Sequence, residues 1–250
     1  MSTPPRAYKT LGVVLRGRNL GEADRIFTLF TTGRGKMDAV AKGVRRTKSQ
    51  LAGRLEFMNE VQLGLHRGRN LDVITSAEIE HEHWSRIVAP EAFAAANLVA
   101  ELVDAFCEPD LAMGDIYALL TGAIAGIAAS GAPLSLLPRF SLRLLEALGL
   151  APPPQNCARC GESLAGKAAW LDPEQGGLCG QECRLAWRDV LELDTLDVEN
   201  FYALGAAKGG TVRPVARATP RVAKAIETLV NHHLGRRPKA GLHAAEFVTG

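Results

Sequence analysis

The sequence lacks the motifs with which most nucleotide-using enzymes hold their substrates. It has no G-x-x-x-x-G-K-[ST] phosphate loop and no G-x-G-x-x-G fingerprint, so ATP hydrolysis and dinucleotide chemistry have no glycine-rich cradle. His81 and His83 stand near the end of a predicted strand, where they indicate a metal pair or, as we favour, an exposed polar strand end. We therefore predict that the protein is not an enzyme.

Long apolar runs are missing as well. The longest apolar stretch, residues 114–150, is interrupted by glycine, proline and charged residues, and it falls short of the roughly 20 consecutive apolar residues that span a bilayer. Residues 1–9 are polar and no apolar signal core follows them, which argues against secretion. The expected location is the cytoplasm, and no membrane partner is expected.

The net charge of the chain is small but unevenly distributed. The 250 residues include 29 Lys and Arg and 27 Asp and Glu, a formal charge of +2. Residues 1–54 hold 12 basic and 3 acidic residues, a local charge of +9, whereas residues 89–150 hold 2 and 7. This asymmetry predicts that the N-terminal segment contacts a polyanion.

The hydrophobic period divides the chain into a strand-rich part and a helix-rich part. Apolar residues mostly alternate from Thr10 to about Glu80, which predicts strands. Five short strands fit one small barrel of the OB type. The aperiodic stretch 43–54 between the third and fourth strands is predicted to be an exposed basic loop. The predicted strands are residues 10–16, 26–31, 36–41, 55–65 and 71–79.

After Pro90 the period changes to 3.6 residues, which predicts helices. One helix continues to Phe106, a second begins with Asp115 as its N-cap and ends at an αL cap on Gly131, and a third spans residues 135–148. Thr219 and Pro220 predict the start of a last helix. The predicted fold class is α+β with several domains: residues 1–82 form the barrel, 83–150 and 191–250 form an all-α domain, and 151–190 form an inserted four-cysteine, zinc-ribbon-like knuckle.

Four of the five cysteines stand close together in sequence. Cys157 and Cys160 form a C-x2-C pair, and Cys179 and Cys183 form a C-x3-C pair eighteen residues further on. Two such pairs can supply four thiolates to a tetrahedral Zn²⁺, and four protein ligands leave no open position for water, so we predict one structural zinc site. Unliganded or redox-active thiols are the alternative, although the βαβ pattern of a thioredoxin-like motif is missing.

Basic residues concentrate in the third predicted strand and the loop that follows it. Such a density of cations can contact successive phosphates and release counterions from a nucleic acid. Taken alone, the pattern fits a solvated basic face equally well. The barrel context favours nucleic acid, since small barrels bind single strands across one face. The run comprises Arg34, Lys36, Lys42, Arg45, Arg46, Lys48 and Arg54.

The order of these parts resembles the RecO family of bacterial DNA repair and recombination mediators. The resemblance covers essentially the whole chain, and its most specific residues are 12–15, 21–26, 33–36, 41–46 and the four clustered cysteines. It implies an OB-fold that binds single- and double-stranded DNA and anneals complementary strands without ATP. It also implies action with RecR, often with RecF, and with the acidic C-terminal tail of the single-stranded DNA-binding protein SSB, so that recombinase can load.

The resemblance also implies site residues. Only some members of the family keep a zinc knuckle, and this sequence has all four cysteines, with the second pair spaced C-x3-C. The implied location is the cytoplasm, at the nucleoid. Two other functions stay open beside that of a DNA repair mediator. One is a zinc-stabilised interaction scaffold whose basic barrel docks acidic protein tails, and the other is RNA binding through the barrel. The DNA-contacting positions of the family fall on Arg34, Lys36, Lys42, Arg45, Arg46 and Lys48.

Overall fold

The computed structural model of the chain describes residues 6–131, 133, 135–184, 191–205 and 218–240. These residues form two compact units. Unit 1 holds the described residues up to Gly131 together with Lys239 and Ala240, and unit 2 holds those from Pro133 to Pro238. No helix in the described part is both long and apolar enough to cross a membrane. The predicted domain boundaries at residues 82, 150 and 190 stay a prediction.

Unit 1 contains a closed five-stranded barrel. Its strand order is β1-β2-β3-β5-β4, and all neighbours are antiparallel except β3 and β5. The first strand pairs with β4 along its first half and with β2 along its second half, which closes the barrel. The strands are β1 (Ala7–Leu20), β2 (Asp24–Thr31), β3 (Gly35–Ala41), β4 (Glu60–His66) and β5 (Asp72–His81).

Alternate residues of all five strands turn inward and fill the barrel. Phe27, Leu29 and Leu63 are each at most 2 % exposed. Further buried side chains come from the connection between β3 and β4, so this connection belongs to the barrel core as well as to its surface. The core cluster is Val14, Phe27, Leu29, Met37, Ala39, Ala41, Val44, Leu55, Val61, Leu63, Leu65, Ile74 and Ala77.

The fourth predicted strand begins too early, whereas the other four are confirmed with shifted ends. The structure starts β4 at Glu60 rather than at residue 55. Met58 has a left-handed φ of 65°, and its N–H donates to the carbonyl of Val14 outside the strand pairing. Leu55 continues the apolar alternation but is buried in the core cluster without being part of a strand. Alternation alone could not distinguish these two uses of an apolar side chain.

Two helices complete unit 1: α1 (Pro90–Phe106) packs on β1, and α2 (Gly114–Ser130) packs on α1. The predicted N-cap at Asp115 is wrong, because α2 begins one residue earlier and its N-cap residue makes no side-chain cap. The predicted αL cap at Gly131 is also wrong, since its φ of 71° is combined with a ψ of −141°.

A buried hydrogen bond joins α2 to the barrel. The Tyr117 hydroxyl donates to the Glu60 carboxylate at 2.6 Å, and Glu60 is only 6 % exposed. Burial, together with this carboxylate, raises the pKa of Tyr117 far above its ordinary value.

Unit 2 combines three helices with a small antiparallel sheet of order β7-β6-β8. The last helix begins as predicted: Pro220 is its first residue, and the Thr219 hydroxyl accepts the N–H of Val222. The three helices pack on one another, and Phe201 is among the side chains they bury. The elements are α3 (Leu136–Ala147), β6 (Ala169–Asp172), β7 (Gly177–Cys179), β8 (Glu192–Leu193), α4 (Thr195–Gly205) and α5 (Pro220–Leu234).

Candidate nucleic-acid interface and thiol site

The basic loop, residues 42–54, is anchored to one end of the barrel. Val44 is 3 % exposed and lies in the barrel core, and Leu51 packs against the same core. The Gly43 N–H donates to the Asp24 carboxylate at 2.7 Å, and the Arg45 N–H donates to a carbonyl of the β1–β2 turn at 3.0 Å. The loop is therefore held in place by its small and apolar residues, and its charged side chains are left on the outside.

The five cations of this loop are all exposed, and four of them are predicted DNA contacts: Lys42, Arg45, Arg46 and Lys48. The Arg45 guanidinium donates to the carbonyls of Gly21 and Glu22, at 3.2 and 2.9 Å, which fixes its position without neutralising its charge. In the described part of the chain no carboxylate lies within ion-pairing distance of these four side chains. Their charges are therefore available to an external anion.

The other two predicted contact residues, Arg34 and Lys36, are engaged inside unit 1. The Arg34 guanidinium forms ion pairs with Asp72, at 2.6 Å, and with Asp110. The Lys36 ammonium, whose side chain is 16 % exposed, contacts the carbonyl oxygen of Asp104 and lies 3.6 Å from its carboxylate. The structure thus divides the six predicted residues into four unpaired cations on the loop and two that already have carboxylate partners.

Arg34 also belongs to a polar network at the barrel end opposite the loop. It donates to the Tyr8 hydroxyl at 3.0 Å, and this hydroxyl donates to Asp72. Burial and the hydrogen bond to Asp72 raise the pKa of Tyr8. Burial opposes ionisation of Asp72, but hydrogen bonds from Tyr8 and the Gly68 N–H, together with Arg34, lower the pKa of this carboxyl. Sequence reasoning missed the network because its members lie far apart in the chain.

The thiol site lies in unit 2. The sulfurs of Cys157, Cys160 and Cys183 all lie within 4.8 Å of one another and could hold a metal ion. Cys179 is not part of that group, but its thiol is within hydrogen-bonding reach of Cys157. In the described residues this is the one group of histidine, cysteine and acidic side chains close enough to hold a metal, and it does not include His81 or His83.

Local turns bring the two cysteine pairs together. Gly161, with a φ of 79°, reverses the chain just after Cys160. Strands β6 and β7 are joined by a short turn in which the Asp172 carboxylate accepts two N–H groups, and Gly176 adopts the left-handed conformation at its end. The Ala158 N–H then donates to the carbonyl of Leu178, which places the first pair beside β7.

The surroundings of Cys157 favour its thiolate. Burial opposes ionisation, but backbone N–H groups of Cys160, Gly180 and Arg159 point at the sulfur and lower the pKa of Cys157 to about 6. Burial and the neighbouring Cys157 raise the pKa of Cys179 to about 11, and a hydrogen bond with Cys160 raises the pKa of Cys183 to about 12. One thiolate surrounded by N–H donors and further thiols is a donor set that suits a thiophilic cation.

Together, the fold and the two sites define a two-unit α+β protein with a cationic barrel end and a thiol cluster. Family models match both parts of the chain: "Recombination protein O N terminal" covers residues 4–82, and "Recombination protein O C terminal" covers residues 89–242. The chain belongs to the recombination protein O (RecO) family.

Full-length relatives agree with this assignment. The "DNA repair protein RecO" of a Nocardioides strain is 36% identical over 245 residues, covering 96% of this chain and 98% of the relative. The protein of the same name from Streptomyces coelicolor is 33% identical over 253 residues with the same coverage. That of Bifidobacterium adolescentis is 39% identical over 183 residues, covering 70% of this chain and 73% of the relative.

Proposed function

We propose that this protein is a DNA repair and recombination mediator that binds single- and double-stranded DNA and anneals complementary strands without ATP. The observation that carries the proposal is the group of four exposed loop cations without a carboxylate partner. The names of the relatives, DNA repair proteins, support the same function. Because Arg34 and Lys36 already have carboxylate partners, we expect them to add less to DNA affinity than the loop.

The barrel topology supports the assignment of an OB-fold. Five strands close into a barrel through a long, bent β1, and the only parallel pair is β3 with β5. Barrels of this kind bind single strands along basic surfaces, largely without reading the sequence. The loop cations contact phosphates, which position a strand but do not specify its bases.

Annealing by this protein rests on electrostatics. Two DNA strands repel each other, and a cationic surface that binds them lowers this repulsion and raises their local concentration. Pairing then proceeds on base complementarity alone, and no nucleotide is hydrolysed. The protein supplies no reacting group to this process, so its role is that of a non-catalytic mediator.

The thiol site is proposed to hold one structural zinc ion through Cys157, Cys160, Cys179 and Cys183. The sulfur donors and the N–H groups that stabilise a thiolate on Cys157 fit such an ion. A bound zinc ion would cross-link the chain on both sides of the β6–β7 hairpin and so stabilise unit 2.

The family resemblance supports the remaining parts of the proposal. The protein acts at the nucleoid in the cytoplasm, together with RecR and in some pathways RecF. Its basic surface also meets the acidic C-terminal tail of SSB, and in this way the mediator is brought to coated single strands where recombinase must load.

A loop variant tests the proposal. Changing Lys42, Arg45 and Arg46 to glutamate leaves the anchors of the loop in place, so we expect a folded protein that no longer accelerates annealing of complementary oligonucleotides. The control changes three exposed cations of unit 2, Lys167, Arg221 and Arg237, to glutamate and should anneal normally. A folded loop variant that anneals like the wild type would contradict the proposal.

The same variant separates DNA binding from the scaffold alternative. For the wild type and the loop variant, the affinity for a labelled acidic peptide and the affinity for single-stranded DNA are measured in parallel. If the loop variant loses the peptide but keeps its DNA affinity, the barrel is a docking module for acidic tails. RNA binding is tested by competition on the wild type: an RNA competitor that fails to displace the labelled DNA would support a preference for DNA.

A further inference from the structure

A second cationic surface lies at the opposite end of the barrel. We call it the Tyr8 surface, formed by Arg6 and Tyr8 at the start of β1 and by Arg67 and Arg69 in the β4–β5 turn. The Arg67 N–H donates to the carbonyl of Arg6 at 2.7 Å, and the Arg67 guanidinium lies over the Tyr8 ring, 5.2 Å from its centroid. All three arginines are exposed.

The charge of this surface is not neutralised by the protein. Within the described residues, no carboxylate lies within ion-pairing distance of Arg6, Arg67 or Arg69. Asp72 and Asp110, the acidic groups of the polar network next to this surface, both form ion pairs with Arg34. Arg34 offsets only part of the charge of these two carboxylates, but with the three outer arginines the surface keeps a net positive charge that can attract an external anion.

The two cationic surfaces are separated by the length of the barrel. The basic loop follows the end of β3, where Ala41 pairs with Arg25. Arg34 and Tyr8 lie at the start of β3, where Gly35 pairs with Thr31. The six steps between the first and last of its 7 residues, at about 3.3 Å each, span about 20 Å along the strand, and the tilt of about 35–45° that barrel strands adopt reduces this to about 15 Å along the barrel axis.

We propose that the Tyr8 surface is a second binding site for a nucleic-acid strand, so that one chain holds two strands at once. The proposal rests on the function proposed above and gives it a geometry. Arginine forks match the oxygens of a phosphate backbone, and a guanidinium stacked on an aromatic ring is held ready for such contacts.

The separation of the two sites explains how both strands are tolerated. About 15 Å exceeds the Debye length of about 8–10 Å at moderate salt, so the repulsion between strands bound at opposite ends is partly screened. Their free portions leave the barrel within one small volume, and this raises the effective concentration of each strand for the other. Annealing is then an encounter between tethered strands.

The test counts strands per chain. Full-length protein is sedimented with a labelled oligothymidylate too short to reach from one end of the barrel to the other. The turn variant carries Arg67→Glu and Arg69→Glu, its control carries Lys167→Glu and Arg221→Glu, and a conservative version carries lysine at both turn positions. Annealing rates of complementary oligonucleotides are measured on the same proteins.

We expect two strands per chain for the wild type and the control, and one for the turn variant, which loses annealing although it still binds DNA. The lysine version should keep both strands. A turn variant that binds two strands and anneals normally overturns the second site. A turn variant that still binds two strands but no longer binds a labelled polyglutamate peptide also overturns the second site. The Tyr8 surface would then bind an acidic protein partner rather than a nucleic acid.

The failure of the proposed function looks different. A wild type that binds no strand and does not accelerate annealing overturns the mediator assignment, and the second site with it. A wild type that anneals but binds one strand per chain overturns the second site alone.

Discussion

Neutralising part of the basic loop should flatten the salt dependence of DNA binding by a calculable amount. Changing Lys42, Arg45 and Arg46 to glutamine removes three positive charges without adding negative ones. Each phosphate contact to a single strand contributes about 0.7 to the slope of log affinity against log salt, so the slope should fall by about 2. Between about 50 and 200 mM salt, the wild type should therefore lose about 20-fold more affinity than this variant.

The structure sharpens this prediction through Lys36, which was assigned to the same surface from sequence. Its ammonium already contacts Asp104. Lys36→Gln should therefore lower the slope by less than the ~0.7 that one phosphate contact contributes. The assay is fluorescence anisotropy of a labelled oligothymidylate at several salt concentrations, with circular dichroism as a check of folding. An unchanged slope for the folded loop variant, or an equal loss from Lys36→Gln alone, would refute the reasoning.

Three further predictions concern the framework. Tyr117→Phe removes the donor to buried Glu60 and should destabilise unit 1 by about 1–3 kcal/mol, measured by hydrogen exchange of barrel amides. Gly35→Ala should cost more than about 2 kcal/mol by the same measurement, because its φ is +63° and the added Cβ would lie 1.8 Å from the carbonyl oxygen of Leu111. Cys157→Ser should reduce bound zinc, measured by elemental analysis, from one ion per chain to none.

Each of these has a matched control. Among the described residues the buried Tyr202 hydroxyl has no hydrogen-bond partner, so Tyr202→Phe should not destabilise unit 2, and a loss equal to that of Tyr117→Phe would contradict this expectation. Gly53→Ala adds a Cβ in open space and should change stability by less than about 0.5 kcal/mol. Cys107→Ala should keep its zinc; equal zinc content in this variant and Cys157→Ser would remove Cys157 from the metal site.

The sequence was informative where a pattern has one physical meaning. Period-two and period-3.6 segments predicted the strands of the barrel and helices α1 to α3, and Thr219 with Pro220 predicted the start of α5. Close cysteine spacing predicted the thiol cluster, of which Cys157, Cys160 and Cys183 meet.

The sequence was ambiguous where local pattern and long-range packing compete. The alternation around Leu55 continues into β4, yet a left-handed Met58 breaks the strand, and only the barrel determines which residues pair. Likewise, a basic residue looks the same whether it faces solvent or a distant carboxylate. Arg34 meets Asp110 across 76 positions of the chain, a pairing that no local motif records.

We propose that this protein pairs complementary DNA strands by electrostatics alone. The most direct measurement is the annealing rate of two complementary, fluorescently labelled oligonucleotides with purified protein, without nucleotide, at low and at high salt. We expect a clear acceleration at low salt that high salt suppresses, because added salt screens the loop cations from the phosphates. A rate equal to that without protein at both salt concentrations would contradict it and favour a barrel that docks protein partners.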